Sequence, residues 1–421
     1  MLILLAKLGD SKMVGQYGYA WAVAYPVSLL ANLNLRSVYV NDQAGRFTFG
    51  YVLGLRYLLA SLGICVLAIC IWIRHDSFSA AFVLLAVGAV TLIDSISESH
   101  FGIFQKHDRM DRMAQSLILR SLLSITIAAI TLYLTRNLLY TVCGALVGRA
   151  ITFLFFDSSR SSFEISRTEP DTLNMRARSA LHSRLLPYWD GRMQLNMFWI
   201  TLPLGIVNLL VTLNANIPRY VIEAYLGPRD LGIYSAVGYI PQAGMLFSTT
   251  LGSITYAALN RMFSRGEERG FLTLLGKMIL ISIGIGSAAL VVTVFAGRWL
   301  LTLLYRPEYA AHSDILIWLV ITAGVAGIAA CFGYAITAAS QFSPQVPVLI
   351  LVNIVSAAAS FVLVPKIGLR GAAIASLCAM SVQAAGSAFI LYRCLKNRRG
   401  SQVASVPAVH ATAFTVRADE L

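Results

Sequence analysis

Long apolar runs, separated by short polar stretches, recur along almost the whole chain. They fall at about 14–35, 51–73, 79–104, 115–135, 138–157, 196–218, 231–258, 272–296, 314–340, 344–364 and 370–392. Each is about 20 residues or more, enough for a helix to cross a hydrocarbon core of about 30 Å. None alternates apolar and polar residues with a period of two, so the pattern predicts helices and excludes barrel strands. Residues 1–8 read as the end of one further helix. The expectation is an all-α polytopic membrane protein with about 11–12 spans.

Two longer polar stretches interrupt this rhythm. The segment 158–195 is rich in serine and arginine, and the last residues, 397–421, lack any period. They predict a helix bundle at 1–157, a cytoplasmic linker at 158–195, a second bundle at 196–396 and a disordered cytoplasmic tail at 397–421. Within the linker, 172–192 carries leucines among basic residues and could also lie on the inner leaflet as an amphipathic helix.

A repeat ties the two bundles together. "LGDSKMVGQYGYAWAVAYP" at 8–26 is echoed by "LGPRDLGIYSAVGYIPQ" at 226–242. Both read Leu-Gly, polar residues, apolar-Gly-x-Tyr, then a small-residue run with a proline. A weaker echo follows between "IRHDSFSAAFVLLAV" (72–86) and "YRPEYAAHSDILIWL" (305–319). The second copy has a full span before it, 196–218, while the first starts near Met1. This predicts a six-plus-six helix plan whose first helix is mostly missing, as a start codon placed too far downstream would produce.

Composition agrees with the pattern. Of the 421 residues, 57% are apolar and 13% charged, against about 25% charged in soluble domains; the mean hydropathy is +0.70. A net charge of +13 would suggest nucleic acid in a soluble protein. Here, with the start of the first helix placed inside, roughly twice as many Lys and Arg fall in the predicted inner loops as in the outer ones. That is the positive-inside bias, it puts the C-terminus in the cytoplasm, and it leaves no case for nucleic acid. The six cysteines and six histidines form no CxxC or other ligand spacing, so no metal or cofactor is expected. "GFLTLLGK" (270–277) has one residue too many between its glycines for a phosphate loop.

Four stretches carry a family resemblance: "NLRSVYVNDQAGRFTFGYVLGLR" (34–56), "FGIFQKHDRMDRMAQSLILRSLLS" (101–124), "NIPRYVIEAYLGPRDLGIYSAVGYI" (216–240) and "LLYRPEYAAHSDIL" (303–316). They resemble the polysaccharide-unit and O-antigen flippases of the multidrug/oligosaccharidyl-lipid/polysaccharide exporter (MOP) superfamily. The resemblance runs over nearly the whole chain in diffuse patches. It implies two six-helix bundles around a central cavity in the inner membrane, working by alternating access in lipopolysaccharide and surface-glycan synthesis. The partners it implies are a polyprenyl-pyrophosphate-linked oligosaccharide, membrane lipids and a glycan polymerase or assembly machinery.

Such a substrate offers a greasy tail, sugar hydroxyls and a pyrophosphate. Arginine suits the last, because its planar fork stays charged and binds phosphate oxygens in pairs. Charge within a span is costly and belongs in the bundle interior. The first bundle holds Arg36, Arg56, Asp94, Glu98, Arg120 and Arg149, whereas the second is nearly free of charge within its spans. The expected pyrophosphate ligands are Arg36, Arg56 and Arg120, with Arg219 of "NIPRY" either receiving the anion on the far side or anchoring a helix end. Asp94 and Glu98, four apart on one helical face, would pair with the arginines or bind a coupling cation. Asn208 and Asn214 would contact sugar hydroxyls, or else bond between helices. The competing readings are a multidrug exporter of the same superfamily, which would want an acidic cavity, and a membrane glycan polymerase or glycosyltransferase, which would want a large outer loop.

Overall fold

A computed structural model describes residues 1–42, 47–74, 78–168, 187–339 and 344–404. Helices account for nearly all of them: α1 (Leu2–Leu8), α2 (Ser11–Asn32), α3 (Leu35–Asn41), α4 (Phe49–Arg74), α5 (Phe78–Lys106), α6 (Met110–Thr135), α7 (Leu138–Thr152) and α8 (Ser158–Thr168). A π turn, Phe153–Asp157, joins the last two. After residues 169–186, which lie outside the description, come α9 (Gly191–Leu226), α10 (Pro228–Arg265), α11 (Glu268–Leu304), α12 (Pro307–Ala310), α13 (Ser313–Ala338), α14 (Gln345–Ile367) and α15 (Leu369–Ala404).

Nine helices among the described residues are long and apolar enough to cross a membrane. The two long helices below that standard are α2 and α10, the pair that carries the repeated motif. Their glycines, tyrosines and prolines lower the mean hydropathy.

Local signals set the helix ends. Asp10 caps α2, its carboxylate accepting from the Met13 amide at 2.6 Å, and Asn137 and Asp190 do the same for α7 and α9. Between α9 and α10 a single residue turns the chain. Gly227 sits at φ 86°, where an L side chain is strained, and Pro228 opens α10 at a position that needs no amide hydrogen. The polar stretch after α7 begins as helix: the chain continues through the π turn to Thr168, and α9 starts at Gly191. Most of the 172–192 segment lies outside the described residues. The expected tail is helical up to Ala404, and 405–421 also lie outside the description.

Two lobes result. In the first, α2, α4 and α7 pack around α5, and α6 lies on α7; in the second, α10, α11 and α15 surround α13, with α14 bridging α15 and α9. The lobes meet mainly through α2 against α10 and α9. One hydrophobic core, including Leu5, Val14, Leu231, Tyr234, Leu301 and Tyr309, is shared by both lobes at the end where α2 and α10 begin. At the opposite end the cores divide differently. Leu259, Phe271, Met278 and Ile390 cluster within the second lobe, while Leu35, Phe49 and Ile103 of the first take in Met197 from the start of α9. The lobes thus share one core at one end and at the other are joined through α9.

At the end closed by the shared core the repeat explains itself. A methyl group on Gly15 would lie 1.6 Å from the Pro228 carbonyl oxygen, and one on Gly232 would lie 1.9 Å from the Ser11 carbonyl oxygen. The echoed glycines thus face each other across a pseudo-twofold axis, each letting the other helix's backbone in. Polar contacts ring the seam. Lys7 Nζ donates to the Leu303 carbonyl at 3.3 Å, and Ser11 Oγ to Glu308 Oε1 at 3.3 Å, with Arg229 Nη2 on the same carboxylate oxygen at 2.6 Å. Burial pushes the Tyr309 phenol there up to about 12.

Candidate functional site

A cavity of about 360 Å³ lies between the lobes, below the closed seam. One wall comes from α1, α2 and α7, the other from α9 and α10. Its lining includes two charged side chains, Arg149 of α7 and Arg219 of α9, one from each lobe. The α2 wall is aromatic: Tyr17, Trp21 and Tyr25 recur every four residues and so share a helical face. The α10 wall is polar, with Ser235, Tyr239 and Gln242.

The two arginines are held differently. Arg149 donates from Nε to Asp94 Oδ1 at 3.0 Å and from Nη1 to Ser124 Oγ at 3.3 Å. The same Asp94 oxygen also accepts from Arg120 Nη1 at 3.0 Å, so two cations share one carboxylate. The Arg120 guanidinium rests over the Phe101 ring, 5.3 Å from its centroid. Arg219 donates from Nη1 to Asn216 Oδ1 at 3.0 Å, and its buried Nε has no hydrogen-bond partner. Both walls therefore bring positive charge to the cavity, the Arg219 Nε itself being sealed within the α9 wall.

The remaining expected residues fall elsewhere. Arg56 has no exposed surface and does not line the cavity. It donates to Ser99 Oγ at 2.9 Å, the Ala31 carbonyl at 3.0 Å, Asn32 Oδ1 at 2.8 Å and Ser95 Oγ at 2.9 Å, which ties α4 to α2 and α5. Arg36 pairs with Glu98 at 3.4 Å, both partly exposed, outside the cavity lining. Asp94 and Glu98 lie on one face of α5 but take different partners, Asp94 those on α6 and α7, Glu98 the one on α3. Asn208 and Asn214 of α9 are not part of the lining either; Asn214 is buried and its Oδ1 has no hydrogen-bond partner.

Two features of the lining had no counterpart in the sequence-based expectations: Arg149 as a wall residue, and the aromatic face of α2. The aromatic face was visible in principle as Tyr-x-x-x-Trp-x-x-x-Tyr inside the repeated motif. A second, apolar cavity of about 180 Å³ lies within the second lobe between α10, α11 and α13, its lining including Gly244, Met245, Ile285, Gly286, Val292 and Gly324. Among the described residues no group of three His, Cys, Asp or Glu side chains could hold a metal ion.

No family model matches the chain. Over 376 residues it is 25% identical to the capsular polysaccharide biosynthesis protein CapF of Staphylococcus aureus, covering 89% of each protein. A multidrug resistance MATE-family transporter of the MOP superfamily, solved in an inward-facing conformation, superposes with a TM-score of 0.73 at 12% identity, over 96% of this chain and 94% of that one. An outward-facing MATE transporter superposes with a TM-score of 0.57 at 15% identity, over 91% and 86%. A MOP-superfamily transporter from Pyrococcus furiosus, described by its binding pocket of reverse polarity, gives 0.61 at 15% identity, over 94% and 91%.

Proposed function

We propose that this chain, which shares the fold of the MOP-superfamily transporters, is a flippase for a polyprenyl-pyrophosphate-linked oligosaccharide in surface-polysaccharide synthesis. The observation that carries the reading is the inter-lobe cavity with an arginine on each wall, Arg149 and Arg219. A pyrophosphate seated between them would bridge the lobes. Its oxygens would accept from the Arg219 guanidinium and draw Arg149 away from Asp94, as charge-assisted bonds to phosphate allow. The 25% identity to a protein named for capsular polysaccharide biosynthesis supports the same substrate class.

In this proposal the end opposite the shared core faces the cytoplasm of the inner, or plasma, membrane, and the basic C-terminal end of α15 (Arg393, Lys396, Arg398) lies on that side. The glycan leaves on the other face once the Gly15–Gly232 seam opens. Arg120 tunes Arg149 through Asp94, Arg36 and Glu98 stand near the cytoplasmic end, and Arg56 holds the first lobe together. A multidrug exporter for cations would need carboxylates in the wall, and the charged side chains lining this cavity are arginines.

The test is made in cells lacking the gene. Lipid-linked glycan units are quantified on each membrane face after complementation with the wild-type chain, R149Q, R219Q or R149K. Each Gln variant should slow translocation at least about ten-fold, the loss of one charge-assisted bond, and leave units on the cytoplasmic face; R149K should retain more. Full translocation by the R149Q/R219Q double variant would overturn the pyrophosphate role. Absence of any accumulation in the deletion strain would overturn the flippase reading.

A further inference from the structure

We infer that the α2 face Tyr17–Trp21–Tyr25, with Ser235, Tyr239 and Gln242 opposite, is the sugar subsite of the cavity, with pyranose rings stacked on Trp21 and Tyr25. The inference rests on the proposed function and deepens it. Tyr25 keeps 38% of its surface exposed although α2 is packed by α4, α5, α9 and α10, and it lines the cavity. The Trp21 and Tyr25 rings are near-parallel, 14° apart with centroids separated by 5.4 Å. Rings in parallel contact at that distance are slipped sideways, so they form a stepped shelf with part of each face uncovered. Tyr17, buried and tilted by 32° with its centroid 6.2 Å from Trp21, closes the inner end of the row. From Tyr17 to Tyr25 the helix rises about 12 Å, the length of about two pyranose rings in file.

The chemistry of the two walls differs as the two sides of a sugar differ. A pyranose presents axial C–H bonds on its flat face, and an aromatic face carries the negative lobe of its quadrupole, so the two attract while excluding water. The hydroxyls project from the rim. They would meet Tyr239, 42% exposed, and Gln242 of α10, which line the cavity beside the buried Ser235. The cavity thus offers donors to an anion and, beside them, a shelf and hydroxyl partners for a carbohydrate. A small cationic drug needs no such combination.

The experiment uses the full chain in detergent with two probes: farnesyl pyrophosphate, and the same lipid carrying an N-acetylglucosamine disaccharide on its pyrophosphate. Trp72, Trp189, Trp199, Trp299 and Trp318 are replaced by Phe so that Trp21 is the only tryptophan; the first four are largely exposed and tolerate the change. Both probes should bind, and only the sugar-bearing one should shift Trp21 emission. In parallel, Tyr25→Leu should weaken the sugar-bearing probe about five- to ten-fold and leave the sugar-free probe within about two-fold, while Tyr25→Phe changes neither. An equal Trp21 response to both probes, no response to either bound probe, or equal weakening of both by Tyr25→Leu would overturn the subsite and leave the flippase reading standing. Failure of both probes to bind the unaltered chain would overturn that reading and the subsite with it.

Discussion

Charged side chains are buried whole in the first lobe, whereas those of the second keep part of their surface exposed. Arg56, Arg112, Asp157 and Glu164, the charged side chains buried among the described residues, all belong to the first lobe. In the second lobe the buried polar groups are uncharged, such as Thr201, Asn214, Ser235, Ser282 and Ser356. There helices approach through small residues instead: a methyl group on Gly286 of α11 would stand 3.3 Å from the Gly324 Cα of α13. Lipid tails are as apolar as leucine, so hydrophobic burial cannot drive helices together within the bilayer. Interhelical bonds and close backbone contact remain, and each lobe relies on a different one. Where the lobes meet, the two arginines of the cavity come one from each: Arg149 braced by a carboxylate, Arg219 by Asn216.

The largest expected effect tests that contrast directly. Arg56→Leu removes four hydrogen bonds from a fully buried site and strands Ser95, Ser99 and Asn32. It should cost about 2–4 kcal/mol, read as a lowered Tm in detergent. Gly286→Ala in the second lobe adds one methyl group at a tight but not impossible distance and should cost below about 1 kcal/mol. Equal losses would mean that the buried charge of the first lobe is no more than ordinary packing.

Next comes the seam between the lobes. A leucine at Gly15 cannot coexist with Pro228 O at the observed approach, and overpacking of this kind costs about 1–3 kcal/mol. Because the contact exists only with this end closed, the cost shifts the balance between conformations rather than unfolding a lobe. Gly232→Leu should do the same, since it stands at the symmetry-related position. The check is labelling of a cysteine placed at Met13, which packs against the shared core, in a chain freed of its six native cysteines, by an impermeant maleimide. Both variants should label at least about ten-fold faster than the parent.

How much of this could be read beforehand differs between fold and site. The spans, the two bundles and the repeat follow from lengths and periodicity, and the motif "GQY/GIY" already marked the helices that meet. What the motif means, two glycines touching across the pseudo-twofold, needs the pairing of α2 with α10. The arginines were harder. Arg56, Arg120 and Arg149 look alike in sequence, each a lone cation in an apolar helix, and depth along the helix is all that sequence supplies. Which way each side chain turns depends on its neighbours. Arg56 meets serines and an asparagine from α2 and α5 and is sealed in, Arg120 is drawn onto Phe101, and Arg149 opens to the cavity. In a membrane protein the lipid-facing side is as apolar as the core, so hydrophobic periodicity gives no help in choosing among them.

A smaller effect follows from Asp94, the carboxylate shared by Arg120 and Arg149. These groups are 11–29% exposed, so Asp94→Asn should cost only about 1 kcal/mol of stability. Its effect on binding should have the opposite sign to that of R149Q. Relieved of its counter-charge, Arg149 becomes more available, and farnesyl pyrophosphate should bind a few-fold tighter to the variant. Weaker binding would mean that Asp94 positions Arg149 for the anion rather than competing with it.

The smallest effect is expected at the rim of the closed end, although its ion pair is the most conspicuous polar contact there. Arg229 Nη2 lies 2.6 Å from Glu308 Oε1, but the arginine side chain is 71% exposed. Exposed pairs contribute about 0.2–1 kcal/mol and are screened over about 8 Å at physiological salt. The Ser11 hydroxyl that reaches the same oxygen across the seam, at 3.3 Å, adds an ordinary hydrogen bond. Glu308→Gln keeps an acceptor for Ser11 and removes only the charge. It should therefore raise labelling at the seam by no more than about five-fold, the upper end of such pairs, and the increase should vanish in high salt. Gly15→Leu should be indifferent to salt, because steric overlap is not screened. A salt-independent Glu308→Gln effect as large as the glycine variant's would move control of the closed end from the repeated glycines to this carboxylate.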